Sequence, residues 1–260
     1  MLKIISLGSG SKGNCLIISN GKESLAVDAG FSRRQLICRM KKAGIAPESL
    51  LGVLITHEHG DHICGCRVLC NDLQIPAYMT NGTLSHLQKI GEEPEKKSTF
   101  LSGSSFHIND FLVETFPVSH DVNEPVGYVV NYSGYRIGIA TDLGITTSVV
   151  EKSLRDCDAL VIESNYDPVM LQNSDRTLEV KRRIASRVGH LRNSEARQLL
   201  EKIISERTKL VMFAHVSCEC NSPCCIENEM KDFFAVPGRE NIQWDILIQH
   251  DINTCRTLPL

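Results

Sequence analysis

The chain has 260 residues, a length that suits one large domain or two small ones. Hydrophobic residues make up 42% and charged residues 23%, a balance that excludes a disordered or fibrous chain. The net charge of −3 gives no bulk attraction for nucleic acid, although a local basic patch or a bound metal could still supply one. Eleven cysteines at irregular spacings predict no complete disulfide framework. Because no apolar run is long enough for a signal peptide or a membrane span, we expect a cytoplasmic protein without membrane contact.

The elements alternate along the chain in a pattern typical of α/β proteins. The predicted strands are Leu2–Leu7, Cys15–Ile18, Ser24–Asp28, Leu51–Thr56, Phe111–Val118, Val126–Tyr132, Tyr135–Ala140, Ala159–Ile162 and Lys209–Ala214. The predicted helices cover residues 32–43, 63–73, 146–154, 176–188 and 194–205. Ser133–Gly134 fits a two-residue hairpin turn. Two β-rich blocks with helices on their outer sides predict a four-layer αβ/βα sandwich. In the absence of a linker, we expect a single domain over residues 1–260.

The segment Thr56-His57-Glu58-His59-Gly60-Asp61-His62 carries the clearest chemical pattern in the chain. It follows a predicted buried strand, and imidazole and carboxylate groups together suit zinc, iron or manganese. A loop leaving a strand can turn His57 and His59 one way and Asp61 and His62 the other way. The segment is therefore predicted to serve two metal ions, because three clustered imidazoles have no use in packing.

This segment resembles the HxHxDH signature of the metallo-β-lactamase superfamily. Later motifs agree with the superfamily in order along the chain. They are Asp28-Ala29-Gly30, Ser119-His120-Asp121, Thr141-Asp142-Leu143-Gly144 and Ala214-His215-Val216-Ser217. The resemblance implies a metallo-β-lactamase fold and two divalent metal ions, with zinc, manganese and iron as the alternatives.

The resemblance also implies which side chains hold each metal. The first metal is assigned to His57, His59, His120 and Asp142. The second is assigned to Asp61, His62, His215 and the bridging Asp142. Asp61 is also expected to be catalytic. Asp28, in contrast, is expected to hold the metal loop by hydrogen bonds.

The charges of such a centre favour an anionic substrate. Two divalent cations bring four positive charges, and two aspartates with a bridging hydroxide leave the site at about +1. Metal ions lower the pKa of bound water toward ~7, and a pair of them can stabilise both oxygens of an in-line displacement. Phosphodiester hydrolysis is therefore favoured over hydrolysis of thioesters or amides, which the superfamily also includes.

Two further segments bear on the substrate. The loop Gly8–Asn14 offers backbone N–H groups, and Ser11 and Asn14 add side-chain donors. In Gly189-His190-Leu191-Arg192-Asn193-Ser194, Asn193 or Ser194 is expected to cap the next helix, which places His190 just before a helix N-terminus. His190 is predicted to be catalytic, by contacting the scissile phosphate or protonating the leaving oxygen. Arg192 and Asn193 are expected to contact substrate.

The full motif set is more specific than the superfamily. The segments SGSKGN, DAG, HEHGDH, SHD, TDLG, ESNYD, GHLRN and HVS resemble the YycJ/WalJ type, which is related to PhnP-like phosphodiesterases. That resemblance implies a 5′-to-3′ DNA exonuclease with DNA as its partner, in which His190 is an active-site residue and Ser11 and Asn14 lie near the metals. We also expect Ser217 to contact substrate. The chain departs from the type after His215, where Cys218, Cys220, Cys224 and Cys225 stand. We expect these cysteines to be free thiols, and we expect His86, His107 and His250 to be structural.

Three alternatives remain open at this point. The first is a small-molecule hydrolase that acts on a cyclic phosphodiester or a thioester. The second is an iron-dependent oxidoreductase on the same fold, which the two anion-binding segments disfavour. The third is a non-catalytic partner protein, which the complete ligand set disfavours. Only 73 positions separate Asp142 from His215, so no large inserted nuclease domain fits there.

Overall fold

The computed structural model describes residues 1–249 and 255–258 of the chain. It contains two compact units. Unit 1 is formed by Met1–Ser104, Val122–Val126 and Ile248–Leu260, and unit 2 by Ser105–Asp121 and Gly127–Leu247. The expectation of one domain over residues 1–260 stays a prediction.

Unit 1 is built on a mixed seven-stranded sheet. Its strands are β1 (Leu2–Gly8), β2 (Cys15–Ser19), β3 (Ser24–Val27), β4 (Leu50–Leu54), β5 (Ala77–Thr80), β6 (Lys97–Phe100) and β14 (Cys255–Leu258). Their order in the sheet is β14-β1-β2-β3-β4-β5-β6. The pairs from β14 to β3 are antiparallel, whereas those from β3 to β6 are parallel. The parallel part delivers the carboxyl end of β4, where the histidine-rich segment begins.

The helices of unit 1 are α1 (Arg33–Lys42), α2 (Gly60–Ile63), α3 (Cys66–Leu73) and α4 (Asn81–Ile90), with a single 3₁₀ turn at Pro47–Ser49. Helix α1 begins as predicted, because the Ser32 side chain caps it and Gln35 completes a capping box. The helix predicted over residues 63–73 is instead two short helices. Gly65 separates them, since its backbone lies so close to Phe31 that a Cβ atom would meet the Phe31 carbonyl oxygen at 2.1 Å.

Unit 2 is also built on a seven-stranded sheet. Its strands are β7 (Ser105–Ile108), β8 (Phe111–Pro117), β9 (Val126–Tyr132), β10 (Tyr135–Ala140), β11 (Ala159–Glu163), β12 (Leu210–Ala214) and β13 (Gln243–Ile246). Their order is β13-β12-β11-β10-β9-β8-β7, and the strands from β10 to β13 run parallel. The predicted hairpin turn is confirmed, because Ser133 and Gly134 both have positive φ values, 49° and 85°.

The helices of unit 2 are α5 (Ser148–Leu154), α6 (Pro168–Asn173), α7 (Leu178–Ile184), α8 (Asn193–Ile203) and α9 (Pro223–Phe234). Leu199 of α8 and Met230 of α9 are buried in one core with residues of β11 and β12. The predicted cap of α8 is wrong, since the N-cap residue is Arg192 rather than Asn193 or Ser194. Asn193 lies inside the helix instead, because its buried side chain binds Ser164 and Asn221.

Among the helices of the described residues, none has both the length and the apolar character that crossing a membrane requires.

The loop after β4 depends on a close approach by Gly30. A Cβ atom on this residue would lie 1.7 Å from the carbonyl oxygen of Asp61 and 2.6 Å from the backbone nitrogen of Asn14. We therefore expect Gly30→Ala to lower the free energy of unfolding by about 1–3 kcal/mol and to displace the loop. Gly60→Ala is the matched control, because nothing lies within 4 Å of its Cβ position. Equal chemical denaturation curves for the two variants would contradict this account.

Candidate metal centre

The predicted ligands of unit 1 form two neighbouring pairs. Nε2 of His57 lies 3.1 Å from Nδ1 of His59, so these two imidazoles converge on one point. Nε2 of His62 lies 3.5 Å from Oδ2 of Asp61. His57 and His62 are buried, whereas Asp61 and His59 are partly exposed. The loop thus presents one all-nitrogen pair and one mixed nitrogen and carboxylate pair.

Asp28 orients this loop from the end of β3. Its carboxylate accepts hydrogen bonds from the backbone nitrogen of Thr56 at 2.9 Å and from the Thr56 hydroxyl. The same carboxylate lies 2.7 Å from Nδ1 of His62, whose side chain is 0% exposed. A histidine that donates from Nδ1 keeps its lone pair on Nε2, which fixes Nε2 as the ligand atom. The predicted hydrogen-bonding role of Asp28 is confirmed.

One further side chain contacts the loop in unit 1. Nδ2 of Asn14 lies 3.0 Å from Nε2 of His62 and 3.2 Å from Oδ2 of Asp61, so Asn14 reaches both members of the second pair. Ser11 is exposed in the preceding loop. Sequence reasoning missed Glu58, whose buried carboxylate accepts from the backbone nitrogen of Asn123 and from the Thr83 hydroxyl. Its place between two predicted ligands was the signal that could have identified it.

Unit 2 brings its own predicted ligands together around Asp142. Oδ1 of Asp142 lies 3.8 Å from Nε2 of His120 and 3.3 Å from Nδ1 of His215. His120 is held by its other ring nitrogen, because Nδ1 lies 3.0 Å from the carbonyl oxygen of Gly189. The carboxylate therefore lies beside the two histidines of unit 2 that the sequence predicts as ligands.

Glu163, at the end of β11, is the main functional residue that sequence reasoning missed. Its carboxylate is 0% exposed, and Oε1 lies 2.8 Å from Nδ1 of both His190 and His215. Oε2 accepts from the backbone nitrogens of Leu143 at 3.1 Å and Leu191 at 3.0 Å. One carboxylate thus orients two imidazoles and holds the two loops that carry Asp142 and His190.

Burial and charge act in opposite directions on the titration of this cluster. Burial opposes ionisation of Glu163, but the neighbouring imidazoles of His190 and His215 outweigh it and hold the pKa of Glu163 below its ordinary value. Burial lowers the pKa of His120, an effect that the charge of Asp142 only partly offsets. A neutral imidazole is the form that binds a metal ion, so the low pKa of His120 suits a ligand.

Three of these residues adopt backbone conformations that residues other than glycine rarely take. Asp28, Asp142 and His215 have φ values of 62°, 56° and 52°. Asp28 and His215 directly follow the last residues of β3 and β12, and Asp142 lies two residues after the end of β10. Such residues cost about 1–3 kcal/mol each and cluster at functional sites. The strain reverses the chain at each strand end and keeps the side chain at the edge of the sheet.

The remaining predicted residues of unit 2 lie near this cluster in sequence. The His190 side chain is 15% exposed, and Arg192 lies two residues further on. Both polar atoms of the Asn193 side chain are bound inside the protein. The Ser217 hydroxyl is buried and accepts from the backbone nitrogens of Glu219 and Cys220. Substrate contact by these residues stays a prediction.

Other expectations from the sequence concern cysteines and the remaining histidines. All eleven cysteines lie in the described part of the chain, and all are free thiols there, as expected for the four after His215. His86 lies on α4 and His107 on β7, away from the groups described above in sequence. His250 lies outside the described residues.

The donor set fits divalent metal ions. In unit 2, ligand atoms of Asp142, Glu163, His190 and His215 all lie within 4.8 Å of one another. In unit 1, the two pairs of the loop after β4 offer imidazole nitrogens and one carboxylate. Imidazole and carboxylate ligands are those that zinc, manganese and iron accept. The carboxylates behind His62 and His215 supply the outer contacts that orient metal-binding histidines.

Comparison with known proteins agrees with this chemistry. Residues 24–215 match the family described as the Beta-lactamase superfamily domain. The chain belongs to this superfamily. It is 35% identical to "Exodeoxyribonuclease YycJ" of Bacillus anthracis over 83% of this chain and 82% of the relative. It is 31% identical to "Exodeoxyribonuclease WalJ" of Streptococcus pneumoniae over 83% of this chain and 81% of the relative. The predicted resemblance to the YycJ/WalJ type is therefore confirmed.

Solved structures confirm the fold. The metallo-β-lactamase fold protein YhfI from Bacillus subtilis superposes with a TM-score of 0.76, at 16% identity, over 99% of this chain and 100% of that one. A diphosphatase from the PhnP family superposes with a TM-score of 0.68, at 14% identity, over 100% and 99% of the two chains. The predicted α/β fold class is thus correct, and the chain is a metal-dependent hydrolase by family.

Glu163 gives the sharpest test of how this cluster is organised. Glu163→Gln keeps the shape of the side chain but replaces the charged acceptor shared by His190 and His215. Loss of such an outer contact typically lowers metal affinity 10–100-fold, and we expect a decrease of this size for Glu163→Gln. Competition with a chelator measures the affinity. Glu151→Gln is the control, because Glu151 pairs with Lys202 on the surface of the same unit. Equal affinities in the two variants would remove Glu163 from the centre.

Proposed function

We propose that this chain is a metal-dependent exodeoxyribonuclease. The observation that carries the proposal is a sequence identity of 35% with a relative named exodeoxyribonuclease, over 83% of this chain and 82% of the relative. The histidine and carboxylate groups of both units support it, since they are suited to divalent metals and phosphodiester hydrolysis. A cytoplasmic location and a DNA partner belong to the same proposal.

The proposed centre holds two divalent ions, of zinc, manganese or iron. His57, His59, His120 and Asp142 would hold the first, and Asp61, His62, His215 and the shared Asp142 would hold the second. Bound there, such ions supply Lewis acidity and lower the pKa of water toward ~7, so that hydrolysis proceeds near neutral pH. The assignment rests on family resemblance. The lone-pair nitrogens fixed by Asp28, Gly189 and Glu163 support it.

His190 is proposed to handle the proton of the leaving oxygen. Its Nδ1 is held by the buried Glu163 carboxylate, so Nε2 is the atom that can donate a proton outward. The carboxylate stabilises the protonated imidazole by charge, as a carboxylate partner does in other acid–base pairs. Asp61, with Asn14 at 3.2 Å from its Oδ2, is proposed to orient the attacking water.

End-labelled DNA tests the proposal directly. Purified protein is incubated with manganese or zinc and with single- or double-stranded DNA labelled at the 5′ or the 3′ end. The resemblance to the YycJ/WalJ type predicts early release of mononucleotides from the 5′ end, and chelation should stop it. If the protein leaves DNA intact but rapidly hydrolyses a cyclic phosphodiester or a thioester, that result would contradict the proposal and favour a small-molecule hydrolase.

Asp142 is the first residue to test within the centre. Asp142→Ala removes the carboxylate proposed to bridge the metals, so we expect loss of most DNA degradation and of about one metal equivalent per chain. Elemental analysis and gel assays measure the two effects. Asp110→Ala, an exposed aspartate of the same unit, is the control. Unchanged metal content with full turnover would remove Asp142 from the centre.

His190→Ala should behave differently. We expect both metals and the fold to remain, while kcat for DNA falls by about 10²–10⁴-fold, the range typical of general acid–base catalysis. Hydrolysis of bis(p-nitrophenyl) phosphate should suffer less, because p-nitrophenolate barely needs a proton to leave. His107→Ala, an exposed histidine on β7, is the control. Loss of a metal in His190→Ala would make His190 a ligand instead.

A further inference from the structure

Unit 2 contains an open cavity of about 500 Å³, beside the segment that carries His190. Its size lies within the range of about 300–1,000 Å³ that small-molecule sites cover. The walls come from α6, α7 and the start of α8. None of its lining residues belongs to the proposed metal ligands, so the cavity needs its own explanation.

Half of the ten lining residues are apolar or aromatic. They are Tyr166, Pro168, Leu171, Leu178 and Ala185. Leu178 opens helix α7, a helix without a single buried residue, and its side chain is 72% exposed. Tyr166 and Leu171 are only 6% and 5% exposed, so the accessible apolar surface comes from Pro168, Leu178 and Ala185. A nucleotide base can bury apolar area against these side chains.

Three of the other lining residues are cationic. They are Lys181, Arg182 and Arg192, and Glu195 is the one carboxylate in the lining. Glu195 is already engaged by Arg192, at 3.4 Å from its Nε atom. The Lys181 ammonium group donates to the carbonyl oxygen of Gln172. Among the residues that the structure describes, the Arg182 guanidinium makes no ion pair or hydrogen bond, so its charge is uncompensated.

The cavity is tied to the catalytic segment by backbone hydrogen bonds. Tyr166 and Arg192 form a parallel bridge, with Asn165 bonded to Leu191 on one side of it. Arg192 lies two residues beyond His190. Because an extended chain spans at most ~3.6 Å per residue, the backbone of Arg192 lies within about 7 Å of the His190 backbone. The cavity is therefore lined by a residue of the same segment that carries His190.

We propose that this cavity binds one nucleotide of the DNA strand, the one next to the scissile phosphate. The base packs on the exposed side chains of Pro168, Leu178 and Ala185, and its phosphate is bound by Arg182 and Lys181. This inference rests on the proposed exodeoxyribonuclease activity and extends it, because it gives the enzyme a contact to the base as well as to the backbone. A purely backbone-binding surface would need no apolar lining.

Arg182→Gln tests the phosphate contact. The assay measures fluorescence anisotropy of a labelled single-stranded oligodeoxynucleotide with slowly hydrolysed phosphorothioate linkages, bound to the metal-loaded protein. Loss of one charged contact should raise Kd about tenfold. It should also make the slope of log affinity against log salt shallower by about 0.7. The matched control is Arg155→Gln, which removes an exposed arginine of unit 2 outside the cavity and should change neither quantity.

A single abasic position, moved along the oligonucleotide, tests the base contact. An abasic position loses the packing of its base on the exposed aliphatic side chains, so one position should weaken binding about fivefold. Uniform binding at every position, or equal Kd values for Arg182→Gln and Arg155→Gln, would overturn the inference. In that case DNA degradation by the unmodified protein would still uphold the proposed function. A protein that neither binds nor degrades DNA would overturn both.

Discussion

The buried carboxylate of Glu163 is the interaction on which the centre of unit 2 depends. It accepts from two imidazoles through one oxygen and from two backbone nitrogens through the other. A buried charge without partners is costly, and removing one partner of a buried pair typically costs about 3–5 kcal/mol. The native arrangement of His190, His215 and the two loops is therefore the one that keeps this carboxylate satisfied.

In unit 1, the buried carboxylate that orients a histidine belongs to Asp28. Asp28 follows β3 and holds the Thr56 backbone and the His62 imidazole. In both units a buried carboxylate at a strand end sets which nitrogen of a histidine faces outward. Backbone strain at Asp28, Asp142 and His215 accompanies this arrangement, because a strand that ends at the sheet edge must turn sharply to leave its side chain there.

Most residues of this cluster could be named from the sequence because they lie in short, distinctive motifs. The histidine-rich loop after β4 was recognisable from spacing alone, and the other proposed ligands followed predicted strands. Glu163 could not be found in the same way, since its partners lie 27 and 52 positions away. The prediction that Asn193 caps α8 was wrong for a similar reason. Its side chain suits a cap, but Ser164 and Asn221 bind it from distant parts of the chain. Helices α6 and α9 were missed, whereas the hairpin at Ser133–Gly134 was located because its turn chemistry is local.

The central claim is that carboxylate and carbonyl acceptors hold the histidines with Nδ1 protonated, so that Nε2 binds metal. Long-range ¹⁵N–¹H correlation spectra of the metal-free protein at neutral pH measure this protonation for each ring. The account predicts a proton on Nδ1 for His62, His120 and His215, facing Asp28, Gly189 and Glu163 in turn. It also predicts loss of that preference for His215 alone in Glu163→Gln. Protonation at Nε2 only, in any of the three rings, would contradict it.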